Sequence, residues 1–263
     1  MKRFVLSVPP RADGIVRLYD NDYRYLVRVR RLKPGSFFDA LLPGGAETRV
    51  RILSTVDNIL IGECVNWKSA DLQTGDLQST EKTLPPIALF QGLPKGSKMD
   101  LIVRQAAEGG LSVVAPFESE YSVAREASMG KLRRWERIIR EARQQSGSVI
   151  ETLVRPPCGF EALLDYWESL RKEYRRSVGI VLHQEPLEKG SFHDYLCNDP
   201  DYVALAVGPE GGFSPGEMSL FLAAGFRPLV MGNTILRTET AALYGTAALR
   251  VILLESEFWT PKG

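Results

Sequence analysis

The sequence has few of the residues that bind metals or form disulfides. Its 263 residues include only three cysteines, Cys64, Cys158 and Cys197, and two histidines, His183 and His193, all far apart. No metal-ligand spacing is present, and an odd, scattered set of cysteines argues against a disulfide framework. We therefore expect no metal cofactor and a reducing environment.

The sequence also lacks a long apolar run and a charge bias. No stretch approaches the ~20 apolar residues that cross a bilayer, and the apolar core of the opening MKRFVLSVPP is too short for a secretory signal. With 33 Lys and Arg against 32 Asp and Glu, the formal net charge is +1. We expect a soluble cytoplasmic protein, whose partners have to be inferred from local rather than total charge.

A polar segment without periodicity divides the chain near residue 75. Residues 66–86, NWKSADLQTGDLQSTEKTLPP, end in Pro-Pro and are typical of a linker. Before it, in residues 1–75, short alternating runs separated by turn signals predict a small β-barrel. The predicted strands are 3–8, 36–42, 48–54 and 59–65. A predicted helix over 21–31 places the basic residues Arg24, Arg28 and Arg31 on one face.

The second part, residues 76–263, alternates strands with helices, which predicts an α/β fold with a parallel sheet covered on both faces. The predicted strands are 87–91, 112–117, 178–183, 202–207 and 228–232. The predicted helices are 98–108, 130–145, 159–173, 215–224 and 238–254. Ligands of open parallel sheets bind beyond the carboxyl ends of the strands. We therefore expect a site in the loops after Gln91, His183, Val207 and Met231.

A glycine-rich loop, VGPEGGFSPGE over 207–217, ends one of these strands. Its second half, Ser-Pro-Gly-Glu, predicts a helix start with a capping box. The first half, 208–212, matches neither the phosphate-binding P-loop nor the dinucleotide fingerprint. Pro209 lacks an amide donor and Glu210 repels anions, so the loop disfavours phosphate and tolerates a neutral or cationic ligand. The alternative is that the loop is only a tight turn between strand and helix.

A second stretch, 228–245, joins the last predicted strand to the last helix. Arg237 lies at the mouth of that helix, where a lone arginine is commonly a surface charge. Ala241, Gly245 and Ala248 are small residues on the helix and allow another backbone to come close. Core packing and a functional contact account for them equally well.

Basic residues cluster locally despite the neutral total. In 131-KLRRWERIIREARQQSGS-148, the basic side chains Arg133, Arg137 and Arg140 share one helix face, opposite Trp135, Ile138 and Ile139. A second basic cluster is 171-RKEYRR-176. Such faces suit a polyanion such as nucleic acid, but a basic face is also commonly only solvated. Both interpretations remain open from the pattern alone, as they do for Lys95.

Taken together, four segments in this order resemble one known family. They are LPKGSKMD (93–100), RWERIIREARQQS (134–146), VGPEGGFSPGE (207–217) and LVMGNTILRTETAAL (229–243). The chain resembles the RsmE family, the 16S ribosomal RNA uracil-N3 methyltransferases of the SPOUT superfamily. The resemblance implies a PUA-like N-terminal β-barrel, a C-terminal trefoil knot, S-adenosylmethionine as the cofactor, and a homodimer. The implied substrate is uridine 1498 of 16S rRNA in the small ribosomal subunit.

The resemblance also implies roles for individual residues. The implied cofactor contacts are Leu182, His183, Val207, Gly208, Pro209, Glu210, Gly211, Gly212, Met231, Gly232, Asn233, Ile235, Leu236 and Thr240. The implied RNA contacts are Lys95, Arg24, Arg28, Arg133, Arg137, Arg140, Gln145 and Tyr121. Because uracil N3 must lose a proton before it attacks, Arg237 and Arg143 are candidates for stabilising the uracil anion. Glu239 and Glu210 are candidate proton acceptors, with water as the alternative.

Three positions depart from the family pattern. The family usually has leucine at Gly109, arginine at Tyr121 and often arginine at Ser148. Tyr121 could replace a charge contact by stacking on a base. These departures motivate one alternative to the 16S rRNA enzyme, a methyltransferase of the same class that acts on another RNA. A further alternative is a non-catalytic RNA-binding assembly factor, against which the intact cofactor motifs argue.

Overall fold

The structure, a computed structural model, describes residues 4–6, 8–42, 46–65, 84–122, 129–185 and 190–255. The chain forms two compact units, Met1–Gln78 with Arg143–Glu151, and Ser79–Ala142 with Thr152–Gly263. The predicted boundary near residue 75 lies outside the described residues. No helix in the described ranges combines the length and the apolar character needed to cross a membrane.

The N-terminal unit is built on a five-stranded sheet of order β1-β3-β4-β5-β2. Its strands are β1 (Phe4–Val5), β2 (Ile15–Leu18), β3 (Phe37–Leu41), β4 (Glu47–Val56) and β5 (Ile59–Cys64). Strand β1 pairs with β3 in parallel and the other pairs are antiparallel. Asp57 and Asn58, both at positive φ, form the tight turn between β4 and β5. Strand β2 was not predicted.

The predicted helix over 21–31 has a different geometry. A short α-helix, α1 (Asp20–Tyr23), continues as a π-helical segment, Arg24–Val29, whose Leu26 is fully buried. Arg31 lies beyond the helix at a φ of 55°. The prediction that Arg31 shares a helix face with Arg24 and Arg28 is therefore wrong, although all three are exposed.

The C-terminal unit contains a seven-stranded sheet in which every described pair is parallel. Its strands are β6 (Ile87–Gly92), β7 (Val113–Glu118), β8 (Leu153–Val154), β9 (Cys158–Gly159), β10 (Ser177–Leu182), β11 (Tyr202–Val207) and β12 (Phe226–Leu229). The order is β12-β10-β11-β6-β7-β8, with β9 also paired to β7. The parallel sheet confirms the predicted α/β class. Strand β12 ends three residues earlier than predicted, and β8 and β9 were missed.

Helices cover both faces of this sheet. They are α2 (Lys98–Glu108), α3 (Met129–Ser146), α4 (Phe160–Glu173), α5 (Phe192–Leu196), α6 (Pro215–Ala223) and α7 (Thr238–Glu255). Alternate residues of β6 enter two cores: Ile87 and Leu89 pack with α2, α3, α5 and α7, whereas Ala88 and Phe90 pack with α4 and α6. Helix α5 was not predicted, because five residues are too short for a periodic signal.

The small residues of α7 pack inward. A β-carbon on Gly245 would lie 2.7 Å from Leu205 Cδ2 in strand β11. Ala241 and Ala248 are partly buried against the same core. Core packing therefore accounts for these three residues, since their small size lets α7 approach the sheet.

A second close approach involves Gly179 in β10. A β-carbon there would lie 2.9 Å from Phe226 Cδ1 and 3.0 Å from Trp167 Cζ2. The Trp167 indole is fixed by its hydrogen bond to the Ala224 carbonyl at 3.0 Å. Neither ring can move without disturbing the aromatic core between α4, α6 and the sheet.

We expect Gly179→Ala to lower the free energy of unfolding by about 1–3 kcal/mol, because overpacking forces these rings apart. Gly216→Ala is the matched control: a β-carbon at that position in α6 meets nothing closer than 3.7 Å, and alanine favours a helix. The control should be neutral or slightly stabilising. Urea denaturation of both variants measures the difference, and equal stabilities would refute the packing argument.

Candidate functional site

A cavity of about 840 Å³ lies at the carboxyl ends of the central strands of the C-terminal unit. Three segments surround it: the loop after β10, the loop after β11, and the segment from β12 to α7. The lining residues are Lys98, Leu182, His183, Gln184, Val207, Gly208, Pro209, Glu210, Gly212, Val230, Met231, Gly232, Asn233, Thr234, Ile235, Leu236, Arg237, Thr238 and Ala241. This is the edge of the sheet where a parallel fold binds its ligand.

The cavity brings together most of the residues expected to contact a cofactor. Of that set, only Gly211 and Thr240 are not among its lining residues. The motif comparison missed Lys98 and Thr238. Lys98 belongs to the first family-like segment, LPKGSKMD, and stands at the start of α2. The sequence does not show that Lys98 lies next to Glu210 of the glycine-rich loop, because 112 residues separate the two.

Glu210, the acid of the glycine-rich loop, ties that loop to the segment before α2. Its carboxylate accepts the Lys95 backbone N–H at 3.1 and 3.3 Å and pairs with Lys98 Nζ at 2.5 Å. Burial by itself raises the pKa of the Glu210 carboxyl, but the hydrogen bonds from Lys98 and from backbone N–H groups outweigh it, so the pKa is lowered. Glu210 is therefore an ionised cap that also neutralises Lys98 beside the cavity.

A buried polar network lies directly under two of the loops. Gln91, fully buried at the end of β6, donates from Nε2 to Thr238 Oγ1 at 2.9 Å and to the Gly92 carbonyl at 2.9 Å. Thr238 in turn donates to the Gly208 carbonyl at 2.6 Å. The first residue of α7 is thereby fixed to the glycine-rich loop.

Glycines allow the loops to pass closely at this edge. A β-carbon on Gly92 would lie 2.6 Å from Pro209 Cδ, and one on Gly208 would lie 3.0 Å from Gly212 Cα. Gly212 also has a φ of 70°, which favours glycine. The GPEGG sequence is thus needed for a tight turn against the end of β6.

The predicted capping box of α6 is present, and its Glu217 accepts further hydrogen bonds that were not predicted. Ser214 Oγ accepts the Glu217 N–H at 3.2 Å, and Glu217 accepts the Ser214 N–H at 2.9 Å. Glu217 is also buried and accepts from Ser119 Oγ at 3.0 Å and from the Glu120 N–H at 2.9 Å. It therefore fixes the turn after β7 as well as the start of α6.

The candidate catalytic residues lie in different surroundings. Arg237 lines the cavity at the mouth of α7 and, within the described ranges, forms no ion pair. Glu239 is partly buried in the first turn of α7, outside the cavity lining, and its Oε2 is buried without a hydrogen-bond partner among the described residues. Arg143 is buried at the end of α3 and belongs to the N-terminal unit. Burial lowers the pKa of the Arg143 guanidinium, and the charge of Glu151 opposes that shift.

The basic segments divide into exposed and paired groups. Arg133, Arg137 and Arg140 are exposed on α3, opposite the buried Trp135, Ile138 and Ile139, and Lys95 is exposed beside the glycine-rich loop. Arg137 also lies 3.8 Å from Glu141 on the same helix. In the 171–176 cluster, Arg171 pairs with Glu168 at 2.9 Å and Arg176 lies 3.6 Å from Asp199. That cluster is therefore occupied by contacts within the protein.

We expect Glu210→Gln to lower the free energy of unfolding by roughly 1 kcal/mol at pH 7, a fall in Tm of about 2–4 °C. The folded-state pKa is lowered, so this stabilisation is present above the ordinary Glu pKa of about 4.3 and is lost as the pH falls through the folded value. Thermal unfolding from pH 7 down to pH 3.5 measures it. Glu108→Gln, at an exposed helix end, is the control. A Tm difference that does not narrow as the pH falls would contradict the ion pair.

We expect Thr238→Val to weaken binding of S-adenosylmethionine, the cofactor implied by the resemblance, by about tenfold. The valine leaves the Gln91 amide and the Gly208 carbonyl without their shared partner, at a cost of ~1–3 kcal/mol. Thr246→Val is the matched control, because that buried hydroxyl donates only to carbonyls of its own helix. Its affinity should stay within about twofold of wild type. Titration calorimetry distinguishes them, and equal losses would argue against the network.

Comparison with known proteins identifies relatives over nearly the whole chain. The family model of the RNA methyltransferase domain matches residues 80–250. The ribosomal RNA small subunit methyltransferase E of Synechocystis sp. is 31% identical over 254 residues, which cover 95% of this chain and 78% of that protein. The ribosomal RNA small subunit methyltransferase E 2 of Borreliella burgdorferi is 28% identical, with 96% and 98% covered.

Solved structures agree with these relatives. The ribosomal RNA small subunit methyltransferase E from Neisseria gonorrhoeae, bound to S-adenosyl methionine, superposes with a TM-score of 0.75 at 26% identity and covers 96% of this chain and 98% of its own. A probable rRNA-methyltransferase from Porphyromonas gingivalis shares the fold, with a TM-score of 0.77 at 23% identity, and covers 96% of this chain and 98% of its own. The family model and the 31% identity show that this chain belongs to the family of ribosomal RNA small subunit methyltransferase E, which its sequence motifs resemble.

Proposed function

We propose that this protein transfers a methyl group from S-adenosylmethionine to N3 of uridine 1498 in 16S rRNA of the small ribosomal subunit. The observation that carries the proposal is the cavity at the carboxyl edge of the parallel sheet, which is lined by two of the family-like motifs, VGPEGG and VMGNTILR. Membership of the family supplies the reaction class.

The cavity suits this cofactor in size and in charge. A volume of about 840 Å³ lies within the ~300–1,000 Å³ of small-molecule sites. Apolar side chains such as Leu182 and Leu236 line it and offer surfaces for an adenine ring. Glu210 neutralises Lys98, so the glycine-rich loop presents no surplus positive charge to a sulfonium. The lining residues of the three loops would hold the cofactor.

The bound cofactor supplies an electrophilic methyl group to the reaction. The protein aligns uracil N3 with that methyl group, and such alignment alone can account for several kcal/mol of the barrier. Arg237, the cavity cation without a described ion pair, stabilises the negative charge on the uracil as N3 loses its proton. Water or Glu239 accepts the proton, and Arg143 remains a second candidate cation.

The finer architecture follows the family. We infer that the N-terminal sheet closes into a PUA-like β-barrel that binds RNA through Arg24 and Arg28. We also infer that the segment from β10 to α7 forms a trefoil knot. Support for the knot comes from the sheet order: the chain reaches the edge at β12 and returns through 230–237 to α7, which packs over the central strands β6 and β11.

We propose that the protein acts as a homodimer in the cytoplasm, where small subunits are assembled. The support is an apolar stripe on the outer face of α7. Leu243, Tyr244, Val251 and Leu254 are 38–54% exposed. Large apolar residues in such a stripe mark an interaction surface, and a second copy that presents the same stripe would cover it. We also propose that RNA is contacted by the exposed basic residues of α3, Arg133, Arg137 and Arg140, and by Lys95 and Gln145.

One observation favours a second candidate, a methyltransferase of the same class with a different RNA target. Tyr121 and Ser148 stand where the family pattern has arginine. Loss of two charges from the RNA-facing part of the pattern would weaken phosphate contacts that position the family's usual substrate.

The experiment uses purified protein, S-adenosylmethionine and small subunits that lack the methyl group. We expect reverse transcription to stop at uridine 1498 after the reaction, since N3-methylation blocks the Watson–Crick edge.

In Arg237→Ala, kcat should fall by about 10²–10³-fold while the variant remains folded and dimeric. Arg227→Ala, an exposed arginine on β12, should retain full activity. Methylation of transfer RNA but not of small subunits would select the second candidate, and wild-type turnover by Arg237→Ala would remove that residue from the mechanism.

A further inference from the structure

Tyr121 projects from a turn whose backbone is firmly held. The Ser119 N–H donates to Ser122 Oγ at 3.1 Å, and the Ser122 N–H donates to the Ser119 carbonyl at 2.8 Å. The buried Glu217 accepts from Ser119 Oγ and from the Glu120 N–H. The residues on either side of Tyr121 are therefore fixed to each other and to the start of α6, whereas Tyr121 itself is 45% exposed.

The tyrosine also rests on the glycine-rich loop. A β-carbon on Gly211 would lie 2.9 Å from Tyr121 Cβ, 3.4 Å from Cγ and 3.6 Å from Cδ2. Gly211 does not have a positive φ, so its need for glycine comes from this contact and not from its backbone conformation. Its neighbours Glu210 and Gly212 both line the cavity. Tyr121 thus stands beside the cavity, with one edge of its ring against the loop.

A large exposed aromatic ring on a rigid turn is suited to stacking. If Tyr121 only packed the loop, an aliphatic or fully buried side chain would serve as well. Stacking of a nucleobase on an aromatic side chain contributes ~1–3 kcal/mol and tolerates any base. RNA recognition commonly uses such contacts with bases that have left the helical stack. A target uridine that enters the cavity has to be unstacked, and its strand must pass beside the loop.

We propose that Tyr121 is a positioning residue whose ring stacks on a base of the RNA substrate at the edge of the cavity. The proposal rests on the methyltransferase function proposed above and specifies how the substrate is held there. Because stacking requires the ring and not the hydroxyl, phenylalanine should replace tyrosine, and leucine, which has no ring, should not.

Steady-state methylation of small subunits tests this with wild type, Tyr121→Phe and Tyr121→Leu. We expect the KM for the RNA substrate to rise about tenfold or more in Tyr121→Leu and to stay close to wild type in Tyr121→Phe. Calorimetry on the same proteins should give S-adenosylmethionine affinities within about twofold of each other, because leucine and phenylalanine both keep the Cβ and Cγ atoms that lie nearest Gly211.

Two results would overturn the proposal. One is an unchanged KM for RNA in Tyr121→Leu. The other is a loss of cofactor affinity in that variant as large as its rise in KM, since this would mean that Tyr121 only supports the glycine-rich loop. Failure of the proposed function is recognised separately, because wild-type protein would then not methylate the subunits at all.

Discussion

The candidate site depends on one buried amide. Gln91 is completely buried, and its Nε2 contacts the end of its own strand and the hydroxyl of Thr238, which in turn binds the Gly208 carbonyl. Three segments that are far apart in the sequence therefore meet at one polar side chain. The network favours this arrangement, because any other would take these partners away from the Gln91 Nε2 and the Gly208 carbonyl.

Two glutamates extend this arrangement outward. Glu210 fixes the glycine-rich loop to the start of α2, and Glu217 fixes the start of α6 to the turn that carries Tyr121. Both accept backbone N–H groups, so each carboxylate has a structural role. Because Glu210 also neutralises Lys98, Arg237 is left as the cavity-lining cation without a described ion pair. This charge arrangement fits a cationic cofactor and a substrate that becomes anionic.

Helix α7 packs on the core with one face and is exposed to solvent on the other. Its inner face carries Gly245, which allows close contact with Leu205, and its first residue, Thr238, belongs to the buried network. Its outer face carries exposed apolar side chains. One helix therefore supports the cavity, packs on the sheet and presents the surface proposed for a second copy.

Local sequence patterns determined much of the secondary structure of this protein and most of the residues that line its cavity. Apolar periodicity located five helices and the main strands, the capping box was readable at Ser214, and the motifs led to most of the cavity-lining residues. Tertiary structure decided the π-helical segment, the short elements β8, β9 and α5, and the inward packing of α7. Helical spacing and small-residue patterns do not reveal which neighbour a side chain contacts. The partners of Glu210 and Glu217, and the contact of Tyr121 with Gly211, also came only from the structure. Each joins residues about 90 or more positions apart, and only folding brings such distant residues within hydrogen-bonding or van der Waals distance.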